Sequence, residues 1–156
     1  MNNVNVKMVT PLAEIDALLR KEAERVEELT IRALARLGEM CVTEARDRPS
    51  MTSWIDQTGN LRSSIGYVIV RDGEIISLSD FRQVNNGREG VESGKELATE
   101  LAKAYSTGYA LIVVAGMRYA VFVEAMENKV VLSSAELFAR NELPKMLAKL
   151  KQQISV

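Results

Sequence analysis

The stretch from Asp56 to Leu78 constrains the fold of this chain more than any other. Asp56-Gln57-Thr58-Gly59-Asn60 is a turn signal, and it runs directly into Leu61-Arg62-Ser63-Ser64-Ile65. Leu61, Ser63, Ile65, Tyr67 and Ile69 alternate, which predicts a strand with those residues on one face. Asp72-Gly73 is a two-residue hairpin turn of the type that needs positive φ. Closing the hairpin there sets Arg71 opposite Glu74, Ile69 opposite Ile76 and Tyr67 opposite Leu78. Charge then faces charge and apolar faces apolar, so the register supports itself.

Helical patterns flank this hairpin. Thr10-Pro11 reads as a helix start, a capping hydroxyl followed by proline at the first helical position. From Leu12 to about Arg48 the apolar residues recur with helical spacing. Leu12, Ile15 and Leu19 share one face, and Val26, Leu29, Ala33, Leu37 and Cys41 share another. Glu22 falls where the first stripe should continue, which leaves two readings: a short helix then a longer one, or a single bent helix. The acids Glu22, Glu24, Glu27 and Glu28 read as a solvated face. Arg48-Pro49 ends the pattern, and residues 49–60 form a polar loop in which Trp54 plugs the edge of a core.

After the hairpin, residues 80–107 interrupt the sheet with a loop and a short helix. Ser93-Gly94-Lys95-Glu96 reads as a capping box opening that helix, with Leu97, Leu101 and Tyr105 on its inner face and Gly108 at its end. Tyr109–Ala115 is nearly all apolar and β-branched, which predicts a buried strand. Tyr119–Ala125 fits either a strand or a helical turn. Ser133-Ser134-Ala135-Glu136 opens a last helix, reaching about residue 153, with Ala135, Ala139, Leu143, Leu147, Leu150 and Ile154 as its buried stripe. Pro144 inside it removes one backbone bond at a cost of ~3 kcal/mol unless packing offsets it.

Composition narrows function more than fold. The 156 residues suffice for one domain with a core, and 47% hydrophobic with 26% charged residues are ordinary globular values. The chain has no histidine, which removes Ser-His-Asp and Cys-His sites and His-ligated zinc. Its single cysteine, Cys41, closes no intrachain disulfide and reads as a small buried apolar group. A formal charge of −1 gives no bulk attraction to nucleic acid or anionic lipid. No apolar run approaches a membrane span, and Met1–Lys7 lacks the apolar core of a signal peptide, so a reducing, cytoplasm-like compartment is expected.

Several short motifs yield to simpler readings. Gly90-Val91-Glu92-Ser93-Gly94-Lys95 has three residues between its glycines and Glu96 after its lysine, so it is not a phosphate-binding loop. Glu124 is an acid within an apolar run. It reads as a structural acid paired with Arg62 or Arg118, against the sharper reading of a catalytic acid with a raised pKa. Lys145, Lys149 and Lys151 complement the dipole at the end of the last helix.

Two signatures, taken in order, carry a resemblance. One is D-x-T-G-x-L-x-x-S-I, carried by Asp56, Thr58, Gly59, Leu61, Ser64 and Ile65. The other is Y-A-x-x-V-E, carried by Tyr119, Ala120, Val123 and Glu124. With a helical region before them and a helix after, the series resembles the tail-completion, or head–tail joining, proteins of long-tailed bacteriophages and prophages. The similarity spans about residues 10 to 152, but Ala125-Met126 stands where that family places an aromatic-glycine pair. The resemblance implies a small α+β protomer. Combined with the elements above, it gives one domain over residues 1–156, whose small, mainly antiparallel sheet packs against a long N-terminal helix and a C-terminal helix, with a helical insertion between strands. It implies a short helix for Tyr119–Ala125. It also implies a non-enzymatic virion protein, made in the bacterial cytoplasm and acting at the neck or tail end without a cofactor or metal.

Such a protein forms rings, often hexameric, that meet tail-tube and head-connector proteins, with no membrane partner and at most passing contact with packaged DNA. On this reading Arg82, Arg88 and Lys95 of the 80–107 excursion are candidate assembly contacts, and deleting that excursion should leave a folded monomer that assembles poorly. A small carboxylate-dependent enzyme using Glu124, and a non-viral binding module, are the competing classes.

Overall fold

A computed structural model of the chain describes residues 7, 9–48, 55–120 and 131–155. Trp54, Val123 and Glu124 lie outside them, as does all of Tyr119–Ala125 beyond Ala120. The architecture is α+β. Helix α1 spans Leu12–Arg46, a one-turn helix α2 Asn60–Ser63, strand β1 Ile65–Arg71, strand β2 Glu74–Leu78, helix α3 Arg88–Ala102, strand β3 Tyr109–Ala115 and helix α4 Ser133–Ile154. The three strands form an antiparallel sheet in the order β2-β1-β3.

The central strand β1 is buried along Ile65–Val70. Its period of two splits its side chains between two cores. Ile65, Tyr67 and Ile69 pack with Leu37, Cys41 and Ala45 of α1 and with Ala135 of α4. Val68 and Val70 face the other way, onto Phe81, Ala98, Ala102 and Val114. The sheet is thus sandwiched between α1 with α4 on one face and α3 on the other. This overturns the expectation for the 80–107 excursion: α3 supplies one wall of the core, so its removal would uncover Val68 and Val70.

α1 is continuous over 35 residues, about 52 Å at 1.5 Å per residue. Glu22 does not break it: among the described residues, 12–24 are exposed apart from the half-buried Ile15, so no core stripe has to run through Glu22. Local pairs at helical spacing, Arg20–Asp16, Arg25–Glu22 and Arg32–Glu28, support it instead. Pro11 occupies the N-cap position and no side chain caps it, so Thr10 does not serve as the expected cap. Glu27 is not simply solvated either, since it pairs with Arg71 of β1. Cys41 is fully buried, its thiol directed at the Ala135 carbonyl 3.9 Å away, and burial pushes that thiol's pKa up.

The hairpin closes at Asp72-Gly73, with φ of 49° and 87°, and Arg71 lies opposite Glu74 as expected. Beyond that the register differs by one residue. Val70 pairs with Ile75 and Ile69 with Ser77, so Ile76 is the extra residue of a β-bulge. The far end of the pairing explains the shift. The Ser79 hydroxyl accepts the Tyr67 N–H at 2.8 Å, and the Ser79 N–H donates to the Tyr67 carbonyl at 2.9 Å. β2 needs one more residue to reach that anchor.

Other boundaries move for local reasons. Leu61 and Ser63 belong to the helical turn α2, not to the strand, which begins at Ile65. α3 begins five residues before the expected capping box, so Ser93 sits inside it and no side chain caps its start. Its buried residues are Gly90, Gly94, Ala98 and Ala102, and Leu97 packs against the core as expected, while Leu101 and Tyr105 are exposed. Gly108 does not end α3; it opens β3, where its N–H donates to the Asp72 carboxylate at 2.7 Å and its carbonyl accepts the Asp72 N–H. β3 is an edge strand and half-buried for most of its length, with only Val114 in the core.

α4 carries Pro144 inside it as expected, but Leu132 stands at its N-cap and no capping side chain bonds there. Ala135 and Leu150 are buried, and Phe138, Ala139 and Met146 pack against the core. Leu143 and Leu147 remain 40% and 50% exposed. The contacting stripe passes through Met146 and Leu150, and Leu143 and Leu147 stand on one flank of it, about 60° and 100° around the helix from Met146. Arg25 of α1 caps the far end of α4, donating to the Gln153 and Ile154 carbonyls at 3.1 and 3.3 Å. That is the end at which a cation complements the helix dipole.

Two stability predictions follow from this packing. Gly59 has φ +80°, and a Cβ there would lie 1.9 Å from the Val84 carbonyl oxygen. Gly59→Val should therefore destabilise the fold by about 3 kcal/mol or more, read as a lowered urea midpoint. Burial, helped by a hydrogen bond to Glu39, pushes the pKa of Tyr67 from 10.0 up to about 12. The folded state then keeps a proton that the unfolded chain loses, so this contribution to stability is present below pH 10 and is lost as pH rises towards about 12. Tyr67→Phe should flatten the fall in stability across that window, measured by denaturant titration at stepped pH.

A candidate assembly surface

The two signature segments meet at one corner of the sheet. The Asp56 carboxylate accepts the Gly59 N–H at 3.1 Å and the Arg62 N–H at 2.8 Å, one through each oxygen. Those bonds start the turn α2, and Gly59 supplies the left-handed conformation that the entry requires. The Thr58 hydroxyl accepts the Asn60 N–H at 3.2 Å. Leu61 and Ile65 enter the core, and the Ser64 hydroxyl donates to the Leu61 carbonyl at 2.8 Å. The segment leading into the second signature closes on the first where the Gly116 N–H donates to the Ser64 carbonyl at 3.1 Å. Gly116 lies so close to α3 that a Cβ on it would fall 2.4 Å from the Gly94 nitrogen.

Tyr119 reaches the same corner. Burial raises the pKa of its hydroxyl and the Asp56 charge raises it further, against a hydrogen bond with Thr58 that lowers it. Ala120 is buried, its N–H bonded to the Met117 carbonyl at 2.9 Å.

Asp56, Thr58, Gly59, Leu61, Ser64, Ile65, Tyr119 and Ala120 are thereby brought together. Sequence reasoning did not single out two further members of the corner. Ser63 accepts the Val84 N–H on its hydroxyl at 2.8 Å, and the Asn60 side chain accepts the Gly90 N–H at 3.2 Å. Both bind α3 and the loop before it to α2; the sequence places Asn60 in the turn and Ser63 in a stretch read as strand, and neither position announces these partners. The corner offers little chemistry, since both Asp56 oxygens are committed to backbone amides. Among the described residues no group of three or more Asp, Glu, Cys or His could hold a metal ion.

Arg82, Arg88 and Lys95 are exposed. Arg88 pairs with Glu92 on its own helix at 3.1 Å. Arg82 is close enough to Arg46 for its charge to lower the pKa of that buried guanidinium, an effect second to desolvation.

The larger unpartnered surfaces lie elsewhere. The first half of α1 projects past the end of α4, which Arg25 marks. On this arm Leu12, Leu18 and Leu19 are 73%, 60% and 66% exposed. Leu12 and Leu19 share a face with Ile15, as their spacing implies, and that spacing is silent about what they face. Further along, α1 and α4 enclose a groove of about 320 Å³. Leu29, Ala33, Met40 and Met146 line it, with Arg32, Arg36, Lys145 and Lys149 around them. Arg32 pairs with Glu28 and Lys145 with Glu142, whereas Arg36 and Lys149 have no ion-pair partner among the described residues. Among the described residues no helix is long and apolar enough to cross a membrane.

No protein-family model, curated protein or solved structure matches the chain.

Removing the Asp56 carboxylate leaves two turn amides without acceptors. Asp56→Ala should cost about 1–2 kcal/mol, and Asp56→Asn less, compared by thermal unfolding.

Proposed function

We propose that the chain is a non-enzymatic structural protein of a tailed-bacteriophage or prophage particle, acting at the head–tail junction as a tail-completion subunit. It self-assembles into a ring, a hexamer on the resemblance described above. One side of the ring meets the tail-tube protein and the other the head-connector proteins. It is made in the host cytoplasm and ends in the virion neck.

One observation carries the reading: the first signature and the described start of the second, Tyr119 and Ala120, meet at a single corner that fixes the sheet's entry, with Tyr119 beside Asp56 and Thr58 and the neighbouring Gly116 bonded to Ser64. The residues that carry the resemblance therefore hold a scaffold. Two helix faces carry exposed apolar side chains, Leu12, Leu18 and Leu19 on α1 and Leu137, Leu143 and Leu147 on α4. Apolar faces rimmed by charge suit contact between proteins better than the handling of a small substrate.

The test is genetic. Deleting the gene from the phage or prophage genome that carries it and inducing lysis should give separate heads and irregular tails by electron microscopy, with infectivity lost. Intact infectious particles from that deletion overturn the proposal.

A further inference from the structure

We infer that the free arm of α1 docks, by its apolar face, in the α1–α4 groove of a second copy of this chain. The inference rests on the self-assembly part of the function proposed above and names the surfaces that would perform it. Its first support is geometric. Arm and groove share one unbroken helix, Leu12–Arg46. Leu19 and Ala33 are 14 positions apart on that helix, roughly 21 Å at 1.5 Å per residue, so the arm cannot fold back into its own groove.

Shape and charge supply the second and third supports. Leu12, Ile15 and Leu19 fall at i, i+3 and i+7, the spacing by which an amphipathic helix anchors in an apolar groove. The arm over residues 12–24 carries four acids, Glu14, Asp16, Glu22 and Glu24, against the two bases Arg20 and Lys21. The groove has the opposite balance, four bases against the single acid Glu142. Arg36 and Lys149, free of acidic partners among the described residues, are the bases best placed to receive the arm's carboxylates. Opposite fields of this kind favour one docking register and suppress arm–arm contact.

Such a contact is heterologous, each copy giving an arm and receiving one. Repetition closes a ring if the rotation permits, and otherwise grows a filament.

Single cysteines at exposed positions test the contact without disturbing the core, since the native Cys41 is buried. Leu19→Cys and Lys149→Cys proteins are prepared separately, then oxidised mildly alone and mixed, while sedimentation of the unmodified protein reports assembly at the same concentrations. A disulfide dimer that forms in the mixture several-fold faster than in either protein alone supports the inference. Adding Arg36→Glu to the Lys149→Cys protein should then slow its formation by about tenfold. A dimer formed by Leu19→Cys alone shows arm against arm and overturns it. Absence of the mixed dimer while the unmodified protein assembles overturns the docking mode and leaves the ring reading standing. A protein that stays monomeric both in solution and when added to phage tails overturns both.

Discussion

Every other element is placed by the burial of β1. From Ile65 to Val70 the strand has no solvent face, so each side chain must meet a helix on one side or the other. Its backbone groups need partners as well, since peptide groups withdrawn from water are costly when unpaired. β2 and β3 take those roles on its two edges. A strand this apolar is usual in parallel sheets covered on both faces. Here an antiparallel sheet of three strands reaches the same condition because α3 lies across the face opposite α1 and α4.

The second cover is unlike the first. α1 and α4 reach the sheet with side chains of ordinary size, such as Leu37, Val42 and Met146. α3 instead presents Gly90, Gly94, Ala98 and Ala102, and brings its backbone close to that of α2 and of the segment after β3. Close backbone approach leaves few ways for these pieces to slide. The corner built from Asp56, Ser63, Ser64 and Gly116 adds directional hydrogen bonds to that steric fit. Rigidity there and open apolar helix faces elsewhere divide the molecule into a part that holds its shape and a part free to meet another surface.

Much of this was legible in the residues. Strict alternation and Asp72-Gly73 placed the hairpin, and apolar spacing placed α1 and α4, because those signals report local geometry directly. The failures share a cause in tertiary contacts. Leu61 and Ser63 alternate as a strand would, yet both are buried by a single helical turn that the Asp56 carboxylate starts. Most of the inner face of α3 escaped notice because glycine and alanine carry little apolar weight; of the residues chosen in their place Leu97 does pack against the core, but Leu101 and Tyr105 face water. On α4 the expected stripe holds for Ala135, Ala139 and Leu150, but it passes over Met146, which packs on the core, and includes Leu143 and Leu147, which stay exposed. At the assembly surface the periodicity of Leu12, Ile15 and Leu19 was read correctly, but an apolar stripe does not say whether its partner belongs to the same molecule. The bulge at Ile76 had no local signal, since it depends on where Ser79 meets Tyr67.

The union of α1 with α4 has a consequence during synthesis. At about 5–20 residues per second, the ribosome makes everything between Arg46 and Ser133 for several seconds or more before α4 begins to emerge. Through that interval the flank of α1 bearing Leu37 and Cys41 waits for Ala135 and Leu150, and Arg25 waits for the last carbonyls of the chain. A nascent chain in this state exposes a long, half-finished amphipathic rod, and such transiently bare apolar surface is a hazard in a crowded polysome.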